Sequence, residues 1–301
     1  MSGQIHDLGY KRYLGTRLAQ STRWRVIMRE QIANGWKKWW RYKLALVGAV
    51  ITACIAGGLL FFTTNKTIRG FGSSVNDIAL TFADGVVPLS IPQFCRMAFV
   101  LSLTLGATII ANDTKSGAFT FYYVRSVRPR DYVLGKLMGY GFLVGTLVLI
   151  GPLLLAAFRL ALSDDTDQLL TYVPILPKVL GIGLLATAAY TAMPLAISAI
   201  VPNRRYALAL WAAYYLIIGS IGQALAAEGI GGAAGAIDIQ TALQAITLDW
   251  FDLKIVTGRG HPNYLDGTTA AIMLGAQIVL AIGIIWFQVS RDQRSGVGGS
   301  S

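Results

Sequence analysis

Residues 112–141 read NDTKSGAFTFYYVRSVRPRDYVLGKLMGYG, and the first twenty of them are charged, aromatic and rich in turn-forming types. Two apolar runs flank this charged part, residues 94–111 before it and residues 132–158 after it. About 20 apolar residues are needed to cross the hydrocarbon core of a bilayer. Because the flanking runs approach or exceed that length, the stretch predicts an aqueous loop between two membrane-spanning helices.

The composition of the whole chain is typical of a membrane protein. Hydrophobic residues make up 54% of the 301 residues, charged residues only 14%, and the mean hydropathy is +0.54. Soluble domains carry about a quarter charged residues. The formal charge of +11 would suggest nucleic-acid binding in a soluble protein, but in a membrane protein it is first compared with the distribution of Lys and Arg between loops.

The hydropathy pattern predicts an all-α integral membrane protein with six transmembrane helices. A cytoplasmic N-terminal segment (1–43) precedes a transmembrane domain (44–289) and a cytoplasmic tail (290–301). The predicted spans cover residues 44–62, 94–111, 132–158, 173–201, 206–225 and 268–289. Four basic residues lie near predicted span ends, where their long side chains are expected to snorkel to water. They are Arg96, Lys136, Arg159 and Lys178.

Basic residues predict the orientation of the chain, because Lys and Arg concentrate in cytoplasmic loops. Placing both termini and the loops 112–136 and 202–205 inside gives that side 19 of the 26 Lys and Arg residues and 5 of the 15 acids. We therefore expect a multi-pass protein of the plasma membrane, a bacterial inner membrane, with cytoplasmic termini. This distribution explains the positive charge without a nucleic-acid partner.

Residues 22–43 combine basic residues with an aromatic stripe at helical spacing. The stripe contains Trp24, Met28, Ile32, Trp36, Trp39 and Trp40. A basic amphipathic helix with such a stripe is expected to lie in the headgroup plane and to contact membrane lipid. The alternative interpretation is a helix docked on a soluble partner.

Two outer segments are predicted to lie between spans. Residues 63–93 form an outer loop of mixed character, and residues 223–267 form a longer one that is apolar and rich in Gly and Ala. The longer segment is punctuated by Glu228, Asp238 and Asp249, so it is too broken to span. It predicts a re-entrant or lid-like hairpin, since irregular backbone at the membrane must be buried by protein or reached by water.

The sequence shows no pattern of catalytic residues. It contains two His residues, no G-x-x-x-x-G-K-[ST] phosphate loop and no acid at the centre of a predicted span. We therefore expect neither an enzyme nor a metal site in this chain, and any ATP hydrolysis belongs to another subunit. A proton- or sodium-coupled transporter is disfavoured because such proteins need an ionisable group within the membrane.

The charged loop resembles the cytoplasmic loop of ABC-2 type transporter permeases. That family shows an acid, then Ser-Gly-Thr, then a Pro/Ser/Arg turn, and then V-x-G-K-L at the start of the third span. Here the corresponding residues are Asp113, Ser116-Gly117-Ala118, Ser126-Val127-Arg128-Pro129-Arg130 and Val133-Leu134-Gly135-Lys136-Leu137. The chain departs from the pattern in carrying Ala118 where Thr is usual and Asp113 where Glu is common.

The resemblance implies a membrane half-transporter, working as a homodimer or with a related subunit. Two cytosolic ABC ATPase subunits would hold ATP and Mg and drive transport, with export the favoured direction. The loop would carry a coupling helix that docks on the ATPase. Its contact residues would be Asp113, Gly117, Phe119, Tyr122, Tyr123, Arg125, Arg128 and Arg130. A second, smaller contact would lie at Asn203, Arg204 and Arg205, and the Trp-rich helix would brace the ATPase edge.

Alternatives remain open at several positions. If the loop arginines do not contact an ATPase, they would only enforce topology and bind anionic lipid. Trp211, Tyr214 and Tyr215 of the fifth span would line a substrate path or pack inside the protein, and the glycines between 135 and 145 allow close helix packing within one subunit or across a dimer. The chain would alternatively act as a membrane anchor that transmits ATPase strokes to an outer-face accessory protein, or as a secondary transporter or channel. The sequence identifies no substrate.

Overall fold

The computed structural model describes residues 22–37, 39–64, 73–119, 127–163, 166–228, 232–253 and 265–294. These residues form helices and connecting turns, with no β-strand among them. Six helical segments of the described chain are long and apolar enough to cross a membrane. They cover Tyr42–Thr64, Asp84–Lys115, Pro129–Ala161, Thr166–Ile200, Arg204–Leu225 and Gly267–Asp292. The prediction of an all-helical, multi-pass protein with six spans is confirmed.

The α-helices are numbered in chain order. The first half of the described chain contains α1 (Arg23–Lys37), α2 (Trp39–Thr64), α3 (Ser73–Thr104), α4 (Ile109–Lys115), α5 (Pro129–Val148) and α6 (Ile150–Ala161). The second half contains α7 (Thr166–Tyr172), α8 (Ile175–Ile200), α9 (Arg204–Ala213), α10 (Gly219–Glu228), α11 (Ile239–Trp250) and α12 (Gly267–Arg294). Shorter turns are 3-10 helical at Gly106–Thr108 and Gly232–Ile237, and π-helical at Tyr214–Ile218.

The helix of the second span begins earlier than the sequence predicts. Residues 73–93 were expected in an outer loop, but α3 starts at Ser73 and contains Pro88 and Pro92. The two prolines and Asp84 interrupt the apolar pattern, which delayed the predicted start of the span to residue 94. Proline is tolerated within membrane helices because neighbouring groups satisfy the freed backbone atoms.

The second span is the most enclosed part of the bundle. In its most apolar stretch 67% of the residues are buried, against 22–44% in the other five spans. It contacts α2, α5 and α8, and α8 contacts α12 on its other side. The largest fully buried side chains of this core include Phe94, Tyr132, Tyr140, Tyr190 and Trp211.

Helix α1 packs lengthwise on α5 and runs in the same direction. A Cβ placed on Gly135 would lie 2.7 Å from Cβ of Ile27, and one on Gly139 would lie 2.9 Å from the carbonyl oxygen of Met28. Further along, Gly35 lies against Leu143. The α5 glycines were predicted to allow close packing either within one subunit or across a dimer. Gly135 and Gly139 serve packing within the subunit, because α1 can approach this closely only where α5 has no side chain.

Candidate functional site

Both ends of the predicted coupling loop are fixed to the bundle. After α4, the chain turns at Gly117, whose φ of +65° is the left-handed conformation that glycine adopts without strain. Phe119 is then buried, with its ring centroid 5.1 Å from that of Tyr132. On the other side, Pro129 opens α5 and the Asp131 carboxylate accepts a 3.4 Å hydrogen bond from the Arg128 N–H. Proline at the first helical position is pre-organised for a helix start.

A buried ion pair joins the two ends of the loop. The Lys136 Nζ lies 2.7 Å from Oδ2 of Asp113, with side-chain exposures of 8% and 18%. The Tyr132 hydroxyl donates to the same Oδ2 at 2.8 Å, and the Lys136 Nζ also donates to Oε1 of Gln31 at 3.1 Å. The arrangement therefore connects α4, α5 and α1 through one polar cluster, the Asp113–Lys136 cluster.

The expectation that Lys136 snorkels to water is wrong. Its ammonium group stays inside because α4 brings a carboxylate within contact distance and α1 adds an amide oxygen. A buried charge is stable only when it is paired and hydrogen-bonded, and both conditions are met here. Beside the cluster lies a polar cavity of about 100 Å³, lined in part by Asn34, Asn112 and Thr108, with room for water.

Helix α8 is tied to the start of α4. The Ser198 Oγ accepts hydrogen bonds from the backbone N–H groups of Ile110 and Ala111, at 3.1 and 3.0 Å. First-turn N–H groups have no partner within their own helix. A side chain on the fourth span thus pairs two backbone N–H groups of the segment that leads into the loop, so the loop base is bonded to α8 as well as to α5.

The structure separates the predicted loop residues into three groups. Asp113, Gly117 and Phe119 build the base of the loop, and Phe119 is buried, so it positions the loop instead of facing a partner. Arg128 and Arg130 are exposed at the start of α5. Tyr122, Tyr123 and Arg125 lie outside the described residues.

The predicted second contact is a helix start. The Asn203 side chain caps α9 by accepting a 3.0 Å hydrogen bond from the Arg205 N–H. Asn203, Arg204 and Arg205 are all exposed, and Tyr206 next to them is 69% exposed. The turn is thus accessible, as a contact with a partner requires.

The tryptophans of the N-terminal segment have different environments. Trp24 is half-buried with the Arg25 guanidinium 5.5 Å above its ring, whereas Trp36 and Trp40 are largely exposed. The side chain of Trp39 lies outside the described part of the structure. The position of this segment in the headgroup plane stays a prediction. The structure shows, in addition, that α1 packs on α5.

The three aromatic residues of the fifth span pack inside the subunit. Trp211 is fully buried and its Nε1–H donates to the Ser102 Oγ at 2.7 Å. Tyr215 stacks on Phe99, with centroids 3.5 Å apart and planes inclined by 7°, and the Tyr214 hydroxyl donates to the Ile237 carbonyl at 2.8 Å. Tyr214 and Tyr215 begin the π-helical turn Tyr214–Ile218, which no signal in the sequence predicted.

A second ion pair, with a buried arginine and an exposed carboxylate, lies towards the opposite end of the bundle. The Arg159 guanidinium lies 3.0 Å from Oδ1 of Asp84 and 3.9 Å from the centroid of the Tyr172 ring. Arg159 was expected to snorkel, but its side chain is only 5% exposed while that of Asp84 is 49% exposed. The sequence missed this pair because Asp84 had been assigned to a loop.

Asp238 is a buried carboxylate that the sequence placed in an outer loop. It caps α11, since its Oδ2 accepts hydrogen bonds from both the backbone N–H and the hydroxyl of Thr241, each at 2.8 Å. Its Oδ1 is buried and has no hydrogen-bond partner within the described residues. The Asp-x-x-Thr pattern was readable as a helix cap, but its burial was not.

Comparison of the chain with models of known protein families gives no match, and comparison with curated proteins gives no match either. A fold alone does not define an activity.

Proposed function

We propose that this chain is the membrane subunit of an ABC-2 type transporter, a permease in which a separate cytosolic ATPase supplies the energy for moving a substrate. Two copies, or this chain and a related one, would form the translocation path, and export is the favoured direction. The motif order in residues 113–137 and the six spans support this assignment. In this proposal both termini and the loop face the cytoplasm of a bacterial cell.

The Asp113–Lys136 cluster carries the proposal. An element that converts ATPase closure into movement of membrane helices must be rigidly attached to them, because such transitions are rigid-body displacements. The cluster fixes both ends of the loop and attaches α1 to the same point. Removing one partner would leave the other charge largely buried and unpaired, at a cost of about 3–5 kcal/mol, so both residues are required for this arrangement.

The exposed basic residues at the start of α5 supply the docking chemistry. Arg128 and Arg130 lie outside the cluster, in the N-cap and first turn of α5. Complementary charge across an interface fixes register and speeds association. We therefore assign to these arginines a contact with an acidic surface of the ATPase, with Arg204 and Arg205 as a smaller contact.

Affinity purification from native cells in mild detergent tests the proposal. An ATP-binding subunit should copurify with the unaltered chain and be lost from the Arg128→Glu/Arg130→Glu variant. The Arg204→Glu/Arg205→Glu variant carries the same charge change at the smaller contact and should retain most of the ATPase. Absence of any ATPase from a well-folded, unaltered preparation would contradict the proposal.

A second candidate function is ion-coupled transport by the chain itself, which the burial of Asp238 favours. Asp238 lies between the fifth and sixth spans, and buried ionisable groups of membrane proteins are frequent parts of ion pathways. Asp266 is a matched control, because it caps α12 through the N–H and hydroxyl of Thr269 yet is exposed. Proteoliposomes that contain only this chain should then show sodium or proton flux, lost in Asp238→Asn and retained in Asp266→Asn. Absence of flux from the unaltered chain would exclude this candidate.

A further inference from the structure

A long apolar groove opens between α5, α8 and α12, with a volume of about 680 Å³. Its floor is made of small residues, among them Gly141 and Gly145 of α5 and Ala188 of α8. Its walls are large side chains, including Met138, Phe142, Leu184 and Ile282. The groove is a concave, preformed site of the size that holds small apolar ligands.

Three threonines line the groove, and the hydroxyl of one of them, Thr191, has no hydrogen-bond partner within the described residues, whereas those of the other two are bonded to the backbone. The hydroxyl of Thr146 donates to the Leu143 carbonyl and that of Thr187 to the Gly183 carbonyl, each at 2.7 Å. Along α5 and the start of α6 the lining runs from Leu134 to Ile150, a length of about 24 Å at 1.5 Å per helical residue. The hydrocarbon core of a bilayer is about 30 Å thick. The groove therefore has the chemistry and length to hold a lipid acyl chain.

One end of the groove meets the basic helix α1. Met28 lines this end, and Arg25 lies one helical turn before Met28 on the same face. Arg25 and Arg29 are exposed, and neither forms an ion pair within the described residues. Juxtamembrane arginines attract anionic lipid headgroups.

We propose that this groove binds one acyl chain of an anionic phospholipid, whose headgroup phosphate lies against Arg25 and Arg29. The charge of the basic end and the apolar lining of the groove favour this occupant over a second copy of the chain. A second copy in the same orientation has its own α1 arginines on the same side of the bundle, so α1 of that copy offers no net opposite charge to this basic end. A phospholipid instead brings the opposite charge to the arginines and an apolar chain to the groove. The assignment of this lipid site does not depend on the proposed coupling to an ATPase.

Native mass spectrometry of the purified full-length chain, titrated with phosphatidylglycerol or phosphatidylcholine, tests this site. The unaltered chain should bind phosphatidylglycerol more tightly than phosphatidylcholine. Since each surface arginine contributes about 1 kcal/mol of attraction, Arg25→Ala/Arg29→Ala should weaken phosphatidylglycerol binding by about 30-fold and phosphatidylcholine binding much less, because the choline ammonium offsets the charge of its phosphate. These side chains are exposed, so the variant should fold.

Filling the groove gives the second arm of the test. A Cβ on Gly141 or Gly145 meets its nearest neighbour at an ordinary 3.5 Å, so Gly141→Leu/Gly145→Leu places side chains in the groove and should weaken binding of both lipids. Gly275 and Gly283 of α12 have open space around them, so Gly275→Leu/Gly283→Leu is the control and should change neither.

Two results would overturn the lipid site. One is equal affinity of the unaltered chain and the arginine variant for phosphatidylglycerol. The other is a change from dimer to monomer in light scattering of Gly141→Leu/Gly145→Leu with lipid binding unchanged, which would assign the groove to a second copy.

Discussion

Lys136 and Asp113 lie at opposite ends of the predicted coupling loop, yet Nζ of the first is 2.7 Å from Oδ2 of the second. The pair is reinforced from a third helix, because Lys136 also bonds Gln31 of α1. The loop base is thereby a single polar unit buried in the bundle. In the proposed coupling, the ion pair and hydrogen bonds of this unit connect the loop to the membrane helices.

Lys136→Ala should lower the free energy of unfolding by about 3–5 kcal/mol, because it leaves the Asp113 carboxylate largely buried without its cation. The double variant Asp113→Leu/Lys136→Met removes both charges and should recover most of this loss. Thermal unfolding in detergent, followed by tryptophan fluorescence, measures both. A single variant as stable as the unaltered chain would show that the pair does not hold the loop base together.

The Asp84–Arg159 pair predicts an unequal response to removal of its two partners. Asp84→Asn leaves a buried guanidinium without its carboxylate and should cost about 3 kcal/mol. Arg159→Met leaves a carboxylate that is 49% exposed and can be hydrated, so we expect a loss of about 1 kcal/mol. The comparison requires only thermal unfolding of the two variants. Equal losses, or a larger one for Arg159→Met, would contradict the asymmetry.

Gly139→Ala should loosen the packing of α1 on α5, because its Cβ would lie 2.9 Å from the Met28 carbonyl oxygen. Overpacking of this kind costs about 1–3 kcal/mol. Gly275→Ala provides the control, since open space surrounds Gly275 and alanine favours helix by about 1 kcal/mol. The two alanine variants should therefore shift the unfolding temperature in opposite directions. A stabilising Gly139→Ala would show that α1 is not held at this distance.

Trp211 should act on stability and not on substrate choice. Trp211→Phe removes the hydrogen bond to Ser102 and should cost about 1 kcal/mol, whereas Trp211→Ala leaves a cavity and should cost about 3–5 kcal/mol. Once a substrate is known, transport per folded molecule should be unchanged in Trp211→Phe. Altered substrate preference with unchanged stability would instead place this side chain on the translocation path.

Hydropathy was sufficient to predict the number and order of the spans, because the length of an apolar run is a local property of the chain. The start of α3 was missed since Pro88 and Pro92 weaken the apolar pattern although the bundle accommodates them. The pairings of Lys136 with Gln31 and of Arg159 with Asp84 join residues far apart in sequence, so no local spacing announces them.

The candidate site was predictable in its composition but not in its arrangement. The loop pattern identified Asp113, Gly117, Phe119 and Lys136 as residues of one region. It did not show that Phe119 is buried or that Lys136 pairs with Asp113, because both depend on how α4 packs on α5. The burial of Asp238 likewise follows from the packing of Gly232–Ile237 and α11 against α12, which the apolar, Gly- and Ala-rich sequence does not reveal.

The rate of ATP hydrolysis by the copurified ATPase in nanodiscs, measured with and without this chain, tests the proposed coupling. We expect the chain to change this rate, and Asp113→Leu/Lys136→Met to bind the ATPase still but to reduce the change, because the loop base has lost its polar attachment. An ATPase whose rate is the same with the chain, without it and with the double variant would contradict coupling through this loop.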